Sequence, residues 1–462
     1  MSKLETKDYE TLKEELLDML ENKSMKQFKE TLEEMNEVDV ANFISELPQR
    51  KIAMVFRLLS KTKSAEVFAN LEVEEQSHII ESITDKELGE IIEELYLDDA
   101  VDLLEELPAN VVKRVMRTAT SETRNLINQY LQYSENSAGS IMTAEYVDLK
   151  KYMNVREAFA RIRRIGEDKE TIYTCFVVSS DRRLEGVVTV RDMLLSEEDA
   201  IIGDIMDSNV IHAKTTDDRE YVADLCSDYD LLAVPIVDLE GRLVGIVTVD
   251  DVIDVLQEEI TEDFDKMAGI TPSDKPYSRA GVVDIWKSRT PWLMFLMISA
   301  TFTSMIINRF EGALAACVAL TGFIPMLMGT GGNSGSQSST AVIRSLSLGD
   351  TEPHDIFKVI WKEIRVAALC GLTLACVNFA KMFLIDRLVL GNTGVTFPVA
   401  LTVCITLFFV VIFAKAVGST LPLAAEKIGI DPAVMASPLI STITDAVSLL
   451  VYFVIANAVL HI

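Results

Sequence analysis

From about residue 291 the chain becomes a succession of apolar runs, at about 291–308, 312–330, 364–385, 396–416 and 433–460. Each is close to the roughly 20 residues with which a helix crosses a bilayer, so five spanning helices are predicted. An odd number of spans leaves the two ends of the chain on opposite sides. Lys287 and Arg289 precede the first run, and Arg344, Lys358, Lys362 and Arg365 fill the loop between the second and third. The outer loops hold chiefly Arg309 and Arg387. Because basic residues stay on the cytosolic side, the N-terminus is predicted in the cytosol and the C-terminus outside a cytoplasmic membrane. Lys381 and Lys415 lie near span ends and read as side chains snorkelling to the interface.

The first 290 or so residues are of another kind, rich in Glu, Asp and Lys, and they carry almost all of a net charge of -28. Such a surface repels phosphate, which argues against nucleic acid and for metal cations or basic partners. The N-terminus, MSKLETKDYETLKEELLDML, has no apolar stretch of the kind a cleaved signal needs, so this part is expected to stay cytosolic. Cys175, Cys226, Cys317, Cys370, Cys376 and Cys404 form no CxxC pair and read as small buried hydrophobes. The four histidines are equally dispersed, which leaves no soft-metal cluster.

Two duplications organise the soluble part. DVANFISELPQRKIAMVFRLL from Asp39 and DDAVDLLEELPANVVKRVMRTA from Asp99 share an ELP followed by an apolar helix, and each proline should start a helix. A helical superhelix over residues 1–135 is predicted. Over 136–256, GSIMTAEYV at Gly139 matches GDIMDSNVI at Gly203, and RLEGVVTVRDML at Arg183 matches RLVGIVTVDDVI at Arg242. The pattern reads as two copies of helix, strand, helix, strand, strand, helix. These segments resemble a tandem CBS pair, an α+β module that often binds an adenosine nucleotide. Thr189 with Asp192, and Thr248 with Asp251, match the family's ribose-binding T-x-x-D, so the resemblance implies ATP near Thr189, Arg191 and Asp192. Many such pairs bind no nucleotide.

DDVIDVLQEEITEDFDKM, from Asp250 to Met267, is helical in period and dense in acid, and Thr-Pro-Ser-Asp at Thr271 breaks it. A connecting helix is therefore expected within 257–285, ahead of a five-helix transmembrane domain over 286–462.

Chemistry concentrates in two of the apolar runs. PMLMGTGGNSGSQSSTAVIRS, from Pro325 to Ser345, is no lipid-facing helix. Gly331, Gly332, Ser334, Gly335 and Ser336 permit close backbone approach, and Asn333 and Gln337 share one face. Two accounts fit: a tightly packed helix pair with interhelical amides, or a pore wall whose polar groups face water. In the last run SPLISTITDAVSLL carries Asp445, whose insertion costs roughly 2.5–3.5 kcal/mol. Ser441 and Thr442 lie one turn before it and Ser448 three residues after. Either those hydroxyls satisfy the acid structurally, or it faces an ion pathway. One carboxylate among hydroxyls is a hard-oxygen environment, and Mg²⁺ is held by one or two carboxylates through retained waters. Two copies of Asp445 on a twofold axis would supply that pair, which predicts a homodimer.

GTGGNSGSQ, the DPAVMASPL segment leading into the last run, Asp445 and the acidic helix after the second CBS copy together resemble the MgtE family of magnesium channels, over nearly the whole chain and in the same order. The resemblance implies that Asp445 forms the selectivity site, with Asn333, Gln337, Ser437, Ser441 and Thr442 lining the pore. Ser437 stands where the family has an asparagine. It further implies regulatory Mg²⁺ among Asp98, Asp99 and Asp102, among Asp218, Glu220 and Asp230, and along Asp251, Asp254, Glu258, Glu259, Glu262 and Asp263. Ions there would compact the cytosolic part and close the pore through residues 257–280. A solvated acidic surface is the plainer account of the same residues. No GxxxxGK[ST] loop and no second set of buried acids is present, which favours a channel over a pump. A non-conducting membrane sensor and a membrane metalloenzyme using Asp445 as a base are the rival classes.

Overall fold

The computed structural model describes residues 9–273, 277, 280–435 and 437–461. They form two compact units, Met1–Leu256 and Gln257–Ile462, with the boundary inside one helix.

The first unit opens with ten short helices between Tyr9 and Tyr130. Helices two apart in sequence stack on one another, as Glu37–Ser45 does on Lys61–Ala69 and Lys61–Ala69 on Asp85–Glu94, which is the superhelix expected of a repeat. The ELP segments punctuate it as the sequence implied. Pro48 and Pro108 are the N-caps of Gln49–Phe56 and Ala109–Thr118, and Leu47 and Leu107 point into the core.

Each CBS copy contributes a three-stranded sheet: β1 (Val147–Leu149), β2 (Thr174–Val178) and β3 (Leu184–Thr189), then β4 (Ala213–Lys214), β5 (Ala233–Val237) and β6 (Leu243–Thr248). In both, the outer pair is parallel and the inner pair antiparallel, with a bulge at the same place, between Val177 and Val178 and between Ile236 and Val237. The predicted opening helix is a single turn, Ile202–Ile205, in the second copy, and in the first the segment around Gly139 is turns and bridges. Tyr146, Phe176 and Val178 meet Ala233, Leu243 and Ile246 to form the core between the copies. A larger core runs unbroken from Leu16 in the helical domain to Val255, through Val222, Val234 and Val247 of the second copy.

Helix α1 is Leu97–Glu106 and helix α2 is Val249–Ala268, which continues directly from β6 and ends at Gly269. The connecting helix is thus shorter at its C-terminal end than the 257–280 expected. Gly269 sits at φ +69, where glycine is favoured, and a Cβ there would overlap the Trp292 ring. Residues 274–276, 278 and 279 lie outside the described residues.

The second unit holds α3 (Val282–Arg309), α4 (Ile324–Ser347), α5 (Ile356–Lys381, continued as π-helix to Val389), α6 (Phe397–Lys427) and α7 (Ser437–Leu460). By length and hydropathy, Val282–Arg309, Pro353–Val389, Phe397–Lys427 and Pro432–Leu460 are able to cross a bilayer. The span expected at 312–330 is corrected: it is split into Glu311–Ala316 and a 3₁₀ segment Val318–Phe323, and the glycine-rich run belongs to α4. Pro325, near the start of α4, lacks an N–H and fits a helix start better than a helix middle. Helix α4 packs against both α6 and α7, while α5 packs on α6 and α3 on α7.

Candidate functional site

The glycines of α4 allow it to lie directly against its neighbours. A Cβ on Gly331 would meet the Ser448 hydroxyl at 2.5 Å, one on Gly332 the Ser441 hydroxyl at 3.3 Å, and one on Gly335 Ile440 at 2.7 Å and Thr444 at 3.1 Å. On the other side a Cβ on Gly418 of α6 would overlap the Gly335 carbonyl. The close-packed account of this run therefore describes its buried face. Among the described residues the interhelical amides do not form: Asn333 and Gln337 are exposed, on the side of α4 away from these contacts.

Asp445 borders this seam, next to Thr444 and one turn after Ser441. It is half-buried, and among the described residues no hydrogen bond or ion pair engages its carboxylate. Two hydroxyls beside it, one of them expected to satisfy it, bond their own backbone instead. Thr442 donates to the Pro438 carbonyl at 3.1 Å, and Thr444 to the Ile440 carbonyl at 2.8 Å. The side chain of Ser437 lies outside the described residues.

One of the two lysines read as snorkelling behaves differently from expectation. Lys415 does not snorkel: it is 6% exposed, donates to Ser338 Oγ at 3.2 Å and stands 3.8 Å from Glu363, whose carboxylate accepts from Ser338 at 2.5 Å. Lys381 bonds Asp386 at 3.0 Å. A charge held in an apolar bundle needs such a partner. All six cysteines are free, but Cys376 is exposed and Cys317 and Cys370 are only half-buried, so the buried reading fits Cys175, Cys226 and Cys404 alone.

In the first unit the fold gathers acids that are remote in sequence. Asp98 and Asp99, in the first turn of α1, face Asp250 and Asp251 at the start of α2, together with Glu145 before β1 and Glu170 before β2. Burial, reinforced by Asp99, Asp251 and Glu170, raises the Asp98 carboxyl well above its usual range. Burial and then Asp251 lift Asp99 to about 6 and Glu170 to about 7. Asp251 is also raised by burial, against the hydrogen bond from Thr248. The buried Oδ1 of Asp98, Oε2 of Glu170 and hydroxyl of Tyr130 have no hydrogen-bond partner among the described residues. Orphaned acceptors among like charges are the environment a hydrated cation relieves. Glu145 and Glu170 were not foreseen: they lie far apart in sequence, and the pairing of β1 with β2 in the first copy brings them together.

The other predicted acids lie apart. Asp102 is exposed further along α1. Asp218 caps the helix Arg219–Asp228 by accepting from the Glu220 N–H, and Glu220 and Asp230 are exposed at its two ends. On α2, Asp254 and Glu258 are exposed and Glu259 is half-buried. Nearer its end Lys266 bonds Glu262 at 2.5 Å and Asp431, in the loop before α7, at 2.6 Å. Burial and then Asp431 raise Asp263. Among the described residues no three His, Cys, Asp or Glu side chains converge to hold a metal together.

Both T-x-x-D motifs serve first as helix caps. The Thr189 hydroxyl donates to Asp192 at 2.5 Å and accepts from its N–H at 3.1 Å, and Thr248 donates to Asp251 at 2.6 Å. Arg191 is exposed beside the first cap.

Known proteins share these parts in the same order. The profile of the MgtE intracellular N domain matches residues 35–136, that of the CBS domain matches 138–198 and 202–258, and that described as a divalent cation transporter matches 324–455. The magnesium transporter MgtE of Thermus thermophilus is 40% identical over 339 residues, 73% of each chain. That of Bacillus subtilis is 36% identical over 335 residues, 72% of this chain and 71% of its own. A crystal structure of the soluble part of a magnesium transporter aligns at TM-score 0.53 with 32% identity, covering 55% of this chain and 99% of that one. The cytosolic domain of the Mg²⁺ channel MgtE in complex with ATP aligns at TM-score 0.50 with 39% identity, covering 52% and 98%. With helical domain, CBS pair and membrane helices all matched in sequence order, the chain belongs to the MgtE family of divalent cation transporters.

Proposed function

We propose that this protein is a Mg²⁺ channel of the cytoplasmic membrane, working as a homodimer and closed by cytosolic Mg²⁺. The observation that carries the reading is Asp445: a half-buried carboxylate on an apolar helix with no hydrogen-bond or ion-pair partner among the described residues. Such a group needs a cation or a pathway to offset its burial. One Asp445 from each of two chains offers a hydrated Mg²⁺ two carboxylates without stripping its waters. Asn333, Gln337, Ser441 and Thr442 supply the polar walls, with Ser437 at the inner end. Entry needs no pump, since two charges crossing 100 mV gain about 4.6 kcal/mol.

Closure follows from the cytosolic acids. Asp98, Asp99 and Asp251 would share Mg²⁺ with Glu145 and Glu170, and Asp102, Asp218, Glu220, Asp230, Asp254, Glu258, Glu259, Glu262 and Asp263 extend the field. If the ion favours the compact arrangement, rising cytosolic Mg²⁺ moves the population toward it. Helix α2 transmits that change, because Lys266 and Asp431 tie its end to the segment entering α7. ATP binds beside Thr189, Arg191 and Asp192, and the relative solved with ATP in its cytosolic domain supports that reading.

The test is Mg²⁺ flux into liposomes by the purified protein, with Asp445→Asn beside wild type and internal Mg²⁺ varied. Flux is expected to vanish in the variant and to fall in wild type as internal Mg²⁺ rises. Undiminished flux through Asp445→Asn would sink the pore reading, and flux indifferent to internal Mg²⁺ would sink the sensing one.

A further inference from the structure

The two CBS copies share one frame, so positions where the first departs from the second reveal what it has been fitted to do. Equivalent positions follow from the duplicated segments and from the matching N-caps Asn154 and Asp218. Tyr146 stands where the second copy has Val210. Arg161, seven residues past its cap, stands where the second has Leu225. Arg182 stands where it has Gly241. Thr174 follows Asn154 by 20 positions, whereas Ala233 follows Asp218 by 15, and the extra stretch carries the turn Gly166–Asp168 and Lys169.

All four departures line one cavity of about 470 Å³ in the first copy, with Ala144 and Val178 among its apolar walls. The backbone shows that Arg182 is held there at a cost. It adopts φ +62, a conformation that favours glycine, and its counterpart Gly241 adopts φ +78. An arginine kept in such a conformation points to a use for its side chain. Its Nη2 donates to the Tyr146 hydroxyl at 2.8 Å, and that hydroxyl donates to the Leu243 carbonyl at 3.1 Å. Arg161 is committed to Asp148, through the carbonyl at 2.7 Å and through the carboxylate. Lys150 stands 3.9 Å from the same carboxylate, so Asp148 is neutralised. Asp168 is exposed at the rim. Lys169 has no ion-pair partner among the described residues, which leaves Lys169 and the rest of the Arg182 fork as open donors. Neither T-x-x-D motif lines the cavity.

We infer that this cavity binds a small phosphate ester, with the phosphate on Lys169 and Arg182 and the apolar part against Ala144, Val178 and the Tyr146 ring. A planar guanidinium fork beside an ammonium suits phosphate oxygens, and the volume is that of a small-molecule site. In a chain of net charge -28, a pocket built from three basic residues by departures from its own repeat selects for an anion.

The experiment is calorimetric titration of the full chain in detergent with phenyl phosphate, comparing wild type with Arg182→Gly, Lys169→Met and Asp192→Asn. Wild type is expected to bind, and the first two variants to bind about tenfold more weakly or not at all, as loss of a charge-assisted hydrogen bond implies. Asp192→Asn is expected to match wild type. Arg182→Gly copies the second CBS repeat and should melt no lower than wild type; if it does melt lower, Lys169→Met decides. No binding by wild type, unchanged affinity in Lys169→Met, or loss of binding in Asp192→Asn would each overturn the assignment.

Discussion

Asp99→Asn should make the first unit more stable when divalent ions are removed. The folded carboxyl titrates at about 6 against an ordinary 3.8, chiefly because it is buried and faces Asp251. That gap corresponds to about 3 kcal/mol of penalty for holding the ionised form. Because its pKa is raised by folding, the folded state keeps its proton longer than the unfolded chain does. The group is therefore harmless below pH about 4, costs progressively more as pH rises through about 6, and costs the full amount at pH 7.5. Asparagine keeps the shape and removes the charge, but it also forfeits a favourable place in the first turn of α1, worth about 0.3–1 kcal/mol. With part of the penalty screened by water, the net gain comes to about 1–2 kcal/mol, or about 2–8 °C in melting temperature for a unit of this size. The assay is thermal unfolding of the full chain in detergent with a chelator, at pH 7.5, 5 and 4, and again with saturating Mg²⁺. The variant should melt higher at pH 7.5, lose its advantage toward pH 4, and lose it also in Mg²⁺, which neutralises the wild-type cluster. An unchanged or lower melting temperature in chelator at pH 7.5 would refute the repulsion, as would a gain that persists at pH 4.

Other outcomes follow from particular contacts. Lys415→Met strands Glu363 and Ser338 in the bundle and should destabilise the membrane unit by about 3–5 kcal/mol, whereas Lys415→Met with Glu363→Gln should recover most of it. Equal denaturation midpoints for the single and double variants would contradict that pairing. Gly418→Ala pushes a methyl into the Gly335 carbonyl and should cost about 1–3 kcal/mol, visible as loss of monodisperse protein on gel filtration; wild-type behaviour would mean the seam is looser than drawn. Lys266→Met cuts the tie to Asp431, a partly exposed pair worth up to about 1 kcal/mol, so the internal Mg²⁺ needed for half-inhibition should rise a few-fold. An unaltered inhibition curve would remove that pair from the gating path.

Much of the fold was written locally. The ELP prolines mark helix starts because the missing N–H costs nothing there, and the CBS duplication is visible because both copies need the same alternation of strand and cap. The span at 312–330 misled because length and hydropathy cannot see that Pro325 and the chain before it restart the helix. Lys415 misled for a related reason: a lysine near the end of an apolar run has the same local pattern whether it reaches water or a half-buried glutamate 52 residues earlier. The site divided along the same line. Asp445 was conspicuous because an acid among apolar residues is expensive wherever the chain folds.

What the sequence alone determined is everything that short-range periodicity and composition impose: a charged first part, a helical repeat, two CBS copies, apolar helices, and an acid, Asp445, set among apolar residues. Only the tertiary structure decided which groups share a space. It spent the Thr442 and Thr444 hydroxyls on their own backbone, joined Glu145 and Glu170 to Asp98, Asp99 and Asp251, and turned Tyr146, Arg161, Lys169 and Arg182 toward one cavity. Coulomb and hydrogen-bond energies depend on distances in space, and positions far apart in a chain carry no record of those distances until the chain has folded.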